Sequence, residues 1–421
     1  MVVYKFGGAS VKDANGIRNL ASILRQTGGK TAVVISAFGK TTNALEKVLK
    51  AWMEGNNGYR EYLKEIYEYH QSVAAGLSDE KNNLRKGIDR LFALLTEYLE
   101  TKKGEDYDYE YDQVVSFGEL WSTTLVADYL LSAGHSVEWV DIRNYLITDD
   151  RYRDADVLWS ESASRIRSRF ARSGKQIIVT QGFIGGTAIG TTTTLGREGS
   201  DYTAAILANI LDAEKVVVWK DVPGFLNCDP KWLDGAVRLE EISYKEAVEM
   251  SFSGAKVIHP KTIKPLHNKN IPLYIKSFLD PLSEGTVVTS APGDAYNIPV
   301  FIRKENQMLI SVLPIDFSFV MGDNLSLVFH VFMVQGIKVN LVQASAVSIN
   351  VCVDYEPQRI RNLIEELSKE YKVIYNEDVE IITVMRHTPE AVQKVISGRE
   401  ILLEQKTRRV VRFVVRKEPQ N

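Results

Sequence analysis

Short runs rich in valine and isoleucine, most of them apolar on both faces, constrain this chain more than any other feature. They fall at Val2–Phe6, Thr31–Ser36, Val137–Asp141, Gln176–Thr180, Lys215–Trp219 and Pro272–Lys276. A strand apolar on both faces is buried on both, the condition of a parallel sheet covered on each side by helices. Helical patterns separate the runs. Over Asn83–Leu99, Leu84, Ile88, Leu91, Leu95 and Leu99 recur at three- and four-residue spacing and form an amphipathic stripe. The wider stretch Trp52–Lys103 is helical in pattern and highly charged, and reads as an excursion covering part of the sheet. Strand and helix alternate for about 290 residues, which predicts an α/β domain with ligands at the carboxyl ends of its strands.

The character changes near Leu282, where Pro281, Gly285, Pro292 and Gly293 mark a linker-like stretch. Beyond it, Met308–Leu313 reads as a strand, Asn324–Gln335 as a helix, and Ile337–Val342 and Ala346–Val353 as two strands. Pro357–Tyr371 follows as a helix and Glu380–Met385 as a strand. That order is βαββαβ, a small antiparallel sheet with helices on one side. A short helix at Pro389–Ser397 and an apolar, hairpin-like run at Val410–Val415 complete the chain.

Composition excludes several classes. The chain has 421 residues, 45% apolar and 25% charged, with a formal net charge of −3. No polybasic block offers a nucleic-acid surface. Cys228 and Cys352 lie far apart, and the six histidines show no metal-ligand spacing, so no protein-held metal site is expected. No run approaches the ~20 apolar residues of a membrane span, and the expectation is a cytoplasmic protein.

Chemistry concentrates in a few stretches. KFGGAS ends the first strand with Lys5, Gly7 and Gly8 and leads toward a helix near Ser10. Bare backbone, helix N–H groups and a mobile cation suit a nucleotide's phosphates, although a tight strand–helix turn beside a surface lysine would look the same. The order is not that of a Walker loop, where the lysine follows the glycines. TQGFIGGTAIGTTTTLGREGSDYTAA, Thr180–Ala205, is more telling. It is glycine-rich, carries Arg197 as a planar fork for a carboxylate or phosphate, and enters a helix at Ser200 and Asp201. Ser200 reads as that helix's N-cap, with Asp201 at its positive end. Asp221, in KDVPG, suits a ribose hydroxyl, an ammonium or a metal, but also ordinary turn capping. Lys256 in SGAKVIHP and Glu119 in SFGELWSTTLV have equally plain readings, as a surface lysine and a helix-dipole partner.

The order of the pieces decides. KFGGAS, VVISA, SFGEL, TTTLGREGSDYTAA, KDVPG and SGAKVIHP, spread over roughly the first 290 residues, closely resemble aspartate kinase of the amino-acid kinase superfamily. The resemblance implies a three-layer α/β/α kinase domain over 1–290 with a mainly parallel central sheet. It is followed by an α+β ACT-like regulatory region over 300–385 and an abbreviated second ACT-like unit over 386–421. It implies ATP-dependent phosphorylation of the L-aspartate side-chain carboxylate to 4-phospho-L-aspartate, the first step toward lysine, threonine and methionine. ATP and Mg²⁺ would be the cofactors, and a homodimer through the ACT-like region the assembly. The competing expectations are a glutamate or N-acetylglutamate kinase and a catalytically weak amino-acid sensor.

Residue by residue, the resemblance puts Lys5, Gly8, Asp201 and Lys256 at the chemistry and Ser36, Thr42, Glu119, Arg197 and Ser200 around aspartate. Lys5, Gly7, Gly8, Lys220, Asp221, Lys231 and Lys256 fall on the nucleotide side, and Asn340 and Ser345 at regulatory positions. The sequence also departs from the family pattern. Ala9 stands for the usual Thr, Lys220 for Thr or Ala, Lys231 for Arg, and Ser253 for Phe. In lysine-sensitive relatives an Asp meets the effector's amino group where this chain has Asn340, and an acidic residue is common at Ala346. The expectation is weak or absent feedback by lysine.

Overall fold

The computed structural model describes residues 1–77, 84–102, 104, 106–255, 257–291, 298–315 and 322–417, and every structural statement concerns these. Two compact units emerge. One comprises the described residues of Met1–Phe225, Arg238–Val248 and Val257–Gly293; the other comprises those of Leu226–Val237, Glu249–Lys256 and Asp294–Asn421.

In the first unit the chain opens with β1 (Val2–Phe6), α1 (Ala14–Arg25), β2 (Thr31–Ile35) and α2 (Thr41–Met53). The charged excursion forms α3 (Tyr59–Leu77), α4 (Lys86–Thr101) and α5 (Tyr107–Val115), and α6 (Phe117–Ser132) leads back to β3 (Val137–Val140). Then come α7 (Trp159–Arg172), β4 (Ile177–Gln181), the small hairpin β5 (Ile184–Gly186) and β6 (Thr192–Thr194), α8 (Gly199–Ile210) and β7 (Lys215–Lys220). The set ends with β8 (Glu241–Ser243), α9 (Tyr244–Ser253, whose residues from Glu249 on belong to the second unit), α10 (Pro260–His267), β9 (Leu273–Ser277) and β10 (Thr286–Thr289). The eight-stranded sheet runs β3-β4-β2-β1-β7-β9-β10-β8. All its pairings are parallel except β9 with β10.

Each apolar run of the sequence is a strand of this sheet, with ends shifted by at most one residue. Side chains of alternate residues face opposite sides. Phe6, Val33, Ile35, Val179, Val217 and Trp219 turn to the face covered by α1–α4 and α6. Phe6 and Trp219, paired in register, stack with centroids 6.1 Å apart. The opposite parity, Lys5 and Lys220 included, belongs to the other face. The excursion earns its place through an aromatic core: Phe92 stacks on Trp121 at 3.9 Å, and His70 packs between Phe38 and Trp121. Burial pushes the His70 imidazole down to about 4, in keeping with a purely structural histidine.

The second unit holds β11 (Val300–Pro314), α11 (Asp323–Val334), β12 (Val339–Ala344), β13 (Ile349–Asp354), α12 (Pro357–Leu367), β14 (Tyr371–Met385), α13 (Pro389–Ile396), β15 (Ile401–Lys406) and β16 (Val410–Arg416). These make one antiparallel sheet, β12-β13-β11-β14-β16-β15. The βαββαβ order is present as an ACT-like sheet. Met308, Ile310 and Val312 pack with Val328 and Phe332 of α11 and Ile360 and Leu363 of α12. The two central strands are far longer than their sequence patterns suggest. Val300–Lys304 pairs with the far half of β14, beyond register shifts at Gln307.

Against that half, α13 and β16 assemble a second core, in which Trp232, Leu233 and Ala236 also pack, while Leu403 of β15 packs with Leu309, Leu341 and Val414. The expected boundaries at 290, 300 and 386 are linear. The compact units are not, because strand and core partners come from distant positions in the sequence.

Candidate active site

A cavity of about 780 Å³ opens in the first unit at the carboxyl ends of β1, β2 and β7. The β1 end is shaped by Gly8. A Cβ there would lie 2.5 Å from the Ala37 carbonyl oxygen, and the Gly39 N–H donates to the Gly8 carbonyl at 3.0 Å. Only glycine lets the two strand ends approach this closely. Gly7 is less constrained, since its Cβ would meet only Lys5 Nζ, at 3.5 Å.

Strand parity and register put Lys5 and Lys220 on the same face of neighbouring strands, and α8 starts above them. Asp201, in its first turn and 2% exposed, receives both cations: Lys5 Nζ at 2.6 Å on Oδ1 and Lys220 Nζ at 3.1 Å on Oδ2. Burial alone would push the Asp201 carboxyl up, but the two ammonium groups outweigh it and hold it below the usual range. Lys220 shows the matching effect. Burial favours its neutral form, and the Asp201 and Glu198 carboxylates override it, raising its pKa.

Glu119 enters from the first turn of α6 and is 2% exposed. Its Oε1 accepts the Ala37 N–H at 3.2 Å, while Oε2 has no partner among the described residues. Burial pushes this carboxyl up to about 8, against the Ala37 N–H and the nearby Lys5 charge. Ser36 at the end of β2, Thr42 in the first turn of α2, and Ser200 line the same cavity. Arg197 reaches it between Gly196 and Glu198, both in the left-handed region at φ 74° and 54°. Its guanidinium has no ion-pair partner among the described residues. Ser200 is not the helix cap expected from the sequence. The helix begins two residues earlier than that cap would set it, at Gly199; Glu198 takes the cap position without a side-chain bond, and Ser200 lines the cavity.

Other expected positions lie elsewhere. Asp221, one residue past Lys220, is exposed and does not line the cavity. Lys231 is exposed in the second unit, where its N–H donates to Asp229. Lys256 lies outside the described residues. Asn340 is buried in the second unit. Its Oδ1 accepts Lys304 Nζ at 2.7 Å, and its Nδ2 donates to Gln307 Oε1 at 2.8 Å and Asp354 Oδ1 at 3.0 Å. Ser345 is exposed, closing a turn with Ser348.

One wall of the cavity was missed by the sequence reading. Asp108 and Tyr111 of α5, Glu46 of α2 and Arg153 line it. The Tyr-and-acid run of α5 looks like a solvated helix, and no local pattern marks it. Its buried carboxylate, Asp112, accepts the N–H groups of Arg153 at 3.0 Å and Thr194 at 2.8 Å and the Thr194 hydroxyl at 2.7 Å.

With this geometry in place, the comparisons are specific. The sequence model of the amino acid kinase family matches residues 1–277. Lysine-sensitive aspartokinase 3 of Escherichia coli is 34% identical over 355 residues, covering 84% of this chain and 78% of that one. The crystal structure of E. coli aspartokinase III with aspartate and ADP superposes with a TM-score of 0.84 at 29% identity, over 99% of this chain and 96% of the other. A bifunctional aspartokinase/homoserine dehydrogenase 2 of Arabidopsis thaliana is 34% identical over 327 residues. That match takes in 74% of this chain but only 35% of the longer plant protein.

Proposed function

This chain belongs to the amino acid kinase family, within it to the aspartokinases, and we propose how its cavity performs their reaction. The chain phosphorylates the side-chain carboxylate of L-aspartate with ATP. The observation that carries the reading is the buried Lys5–Asp201–Lys220 array in the same cavity as Glu119 and Arg197.

Aspartate's side-chain carboxylate is already ionised at neutral pH and needs no general base. The barrier therefore yields to in-line positioning and to neutralising charge on the transferring phosphoryl oxygens. Lys5 and Lys220 supply two cations on one side, and Asp201 fixes where both ammonium groups stand. The N-terminus of α8 and the backbone at Gly8 favour anionic oxygens beside them. Arg197 offers its fork to the α-carboxylate. The unpartnered Glu119 Oε2 accepts from the substrate ammonium, and Ser36, Thr42 and Ser200 offer hydroxyls around the backbone of the amino acid.

Magnesium fits this site only as an ion borne by the nucleotide. The described residues contain no group of three or more candidate metal ligands, and both Asp201 oxygens are engaged by lysines. An ion held largely by phosphate oxygens and water would supply further charge neutralisation.

The second unit reads as a regulatory ACT-like region through which two copies pair. Its helix α11 leaves Leu327, Met333 and Val334 exposed at 51, 68 and 65%. Among the described residues no helix is long and apolar enough to cross a membrane.

The test is acyl-phosphate trapping. With MgATP and hydroxylamine, L-aspartate yields a hydroxamate, and L-glutamate and N-acetylglutamate yield none. A hydroxamate from either of the latter alone would move the assignment to another amino acid kinase. Silence in all three, from folded protein that binds ATP, would favour the sensor.

A further inference from the structure

Arg153 is a non-glycine residue at φ 70°, in the left-handed region that L side chains rarely adopt, and it sits at the rim of the catalytic cavity. Such an outlier persists only where its surroundings over-determine it. Here they do. The fully buried Asp112 takes the Arg153 N–H and, through its other contacts, ties it to Thr194 of β6. The guanidinium then lies over the Tyr111 ring at 4.7 Å and the Tyr107 ring at 5.6 Å. Tyr111 is itself anchored, donating its hydroxyl to Glu46 at 2.8 Å.

The fork meets its counter-ion through one arm only. Nη1 donates to Asp108 Oδ1 at 2.9 Å, and the Asp108 side chain is 57% exposed. A solvated, one-armed pair is cheap to exchange, whereas a carboxylate brought into the cavity can accept two parallel bonds.

Resting on the reading of this cavity as the aspartate site, we propose that Arg153 is a second substrate-binding arginine, which leaves Asp108 for the α-carboxylate of the incoming amino acid and shares it with Arg197. Its backbone conformation is what aims the fork, and the group it selects is the free α-carboxylate of the amino acid. The nucleotide's phosphates belong instead to the lysines that converge on Asp201.

Arg153→Gly tests this cleanly, because glycine accepts φ 70° and the Asp112 bond uses only the backbone N–H. Binding of L-aspartate and of its neutral α-amide is measured by calorimetry, alongside KM and kcat for each. The expected result is an about 10- to 100-fold loss of aspartate affinity with little loss for the α-amide, the range of one charge-assisted bond. Asp108→Asn, which frees the fork, should tighten aspartate, and that gain should vanish in the double variant. Equal losses for both ligands, an unchanged aspartate affinity, or a rise confined to the KM for ATP would overturn the assignment. Calorimetry reads Arg153 independently of turnover. Absence of phosphoryl transfer in the unmodified protein counts against the kinase reading, while an unaltered preference for aspartate over its α-amide counts against Arg153.

Discussion

Lys5 and Asp201, 196 positions apart in sequence, meet at 2.6 Å with both side chains almost wholly buried. The parity of β1 aims the lysine, the first turn of α8 supplies the carboxylate, and Lys220 from β7 completes the array at 3.1 Å. Three elements of the α/β core thus meet at one charge cluster.

Breaking that cluster costs more than a surface pair would. Asp201→Asn leaves two lysines facing each other without a carboxylate. We expect a loss of about 3–5 kcal/mol in unfolding free energy, as when one partner of a buried pair is removed. Because the folded-state pKa of Asp201 lies below its ordinary value, its contribution holds above that ordinary value and fades as pH falls. Urea unfolding of the variant and the unmodified protein at neutral pH and near pH 3 checks both points. The gap between them should shrink in acid.

Glu119 predicts a proton signature. With its carboxyl raised to about 8, it is mostly protonated in the free enzyme at pH 7. An ammonium arriving at Oε2 favours the ionised form, so aspartate binding releases a proton. Calorimetry in buffers of different ionisation enthalpy should register a release approaching one proton near pH 7. Affinity should improve about tenfold per pH unit until the pH reaches the raised pKa. Glu119→Gln should abolish the buffer dependence.

The two glycines after β1 should part company. Gly8→Ala forces a methyl group to 2.5 Å from the Ala37 carbonyl, and we expect a loss of about 1–3 kcal/mol in stability. Gly7→Ala has room and should unfold close to the unmodified protein. Thermal and urea unfolding of both variants distinguishes them. Equal losses would mean that the close approach of the strand ends is not what the glycines serve.

Lysine should inhibit weakly or not at all. The Asn340 amide is neutral and already engaged by Lys304, Gln307 and Asp354. Replacing a carboxylate by such a group forfeits about 1.5–3 kcal/mol of attraction for an ammonium. An inhibition curve with its half-effect in the low-millimolar range or below would contradict this.

The α/β core was legible because strands buried on both faces leave a local mark. Val33–Ile35 or Val216–Val218 can be read without knowing their neighbours. Residues at strand ends and in the glycine-rich loop, such as Lys5, Arg197 and Asp201, were legible through motif order. What was not legible depends on pairing across the chain. Nothing near Val300 tells that it continues a sheet against Met385, and nothing near Trp232 tells that it packs against the core that holds Phe413. Asp112 and Arg153 escaped for the same reason. An acidic helix and an Asp-Arg loop look solvated until the fold closes Thr194 over one and Tyr111 under the other. Ser200 misled because serine before an acidic residue is a common cap signal, whereas here the left-handed Glu198 takes the cap position two residues earlier.

The most direct test of the account is Lys5→Ala at saturating MgATP and L-aspartate, with hydroxamate formation and ATP affinity measured on the same preparation. The account predicts a fall in kcat of at least about 100-fold, with ATP and aspartate still binding within a few-fold of the unmodified protein. Near-normal turnover would remove Lys5 from the phosphate cradle, and with it the central role given to the Lys5–Asp201–Lys220 array.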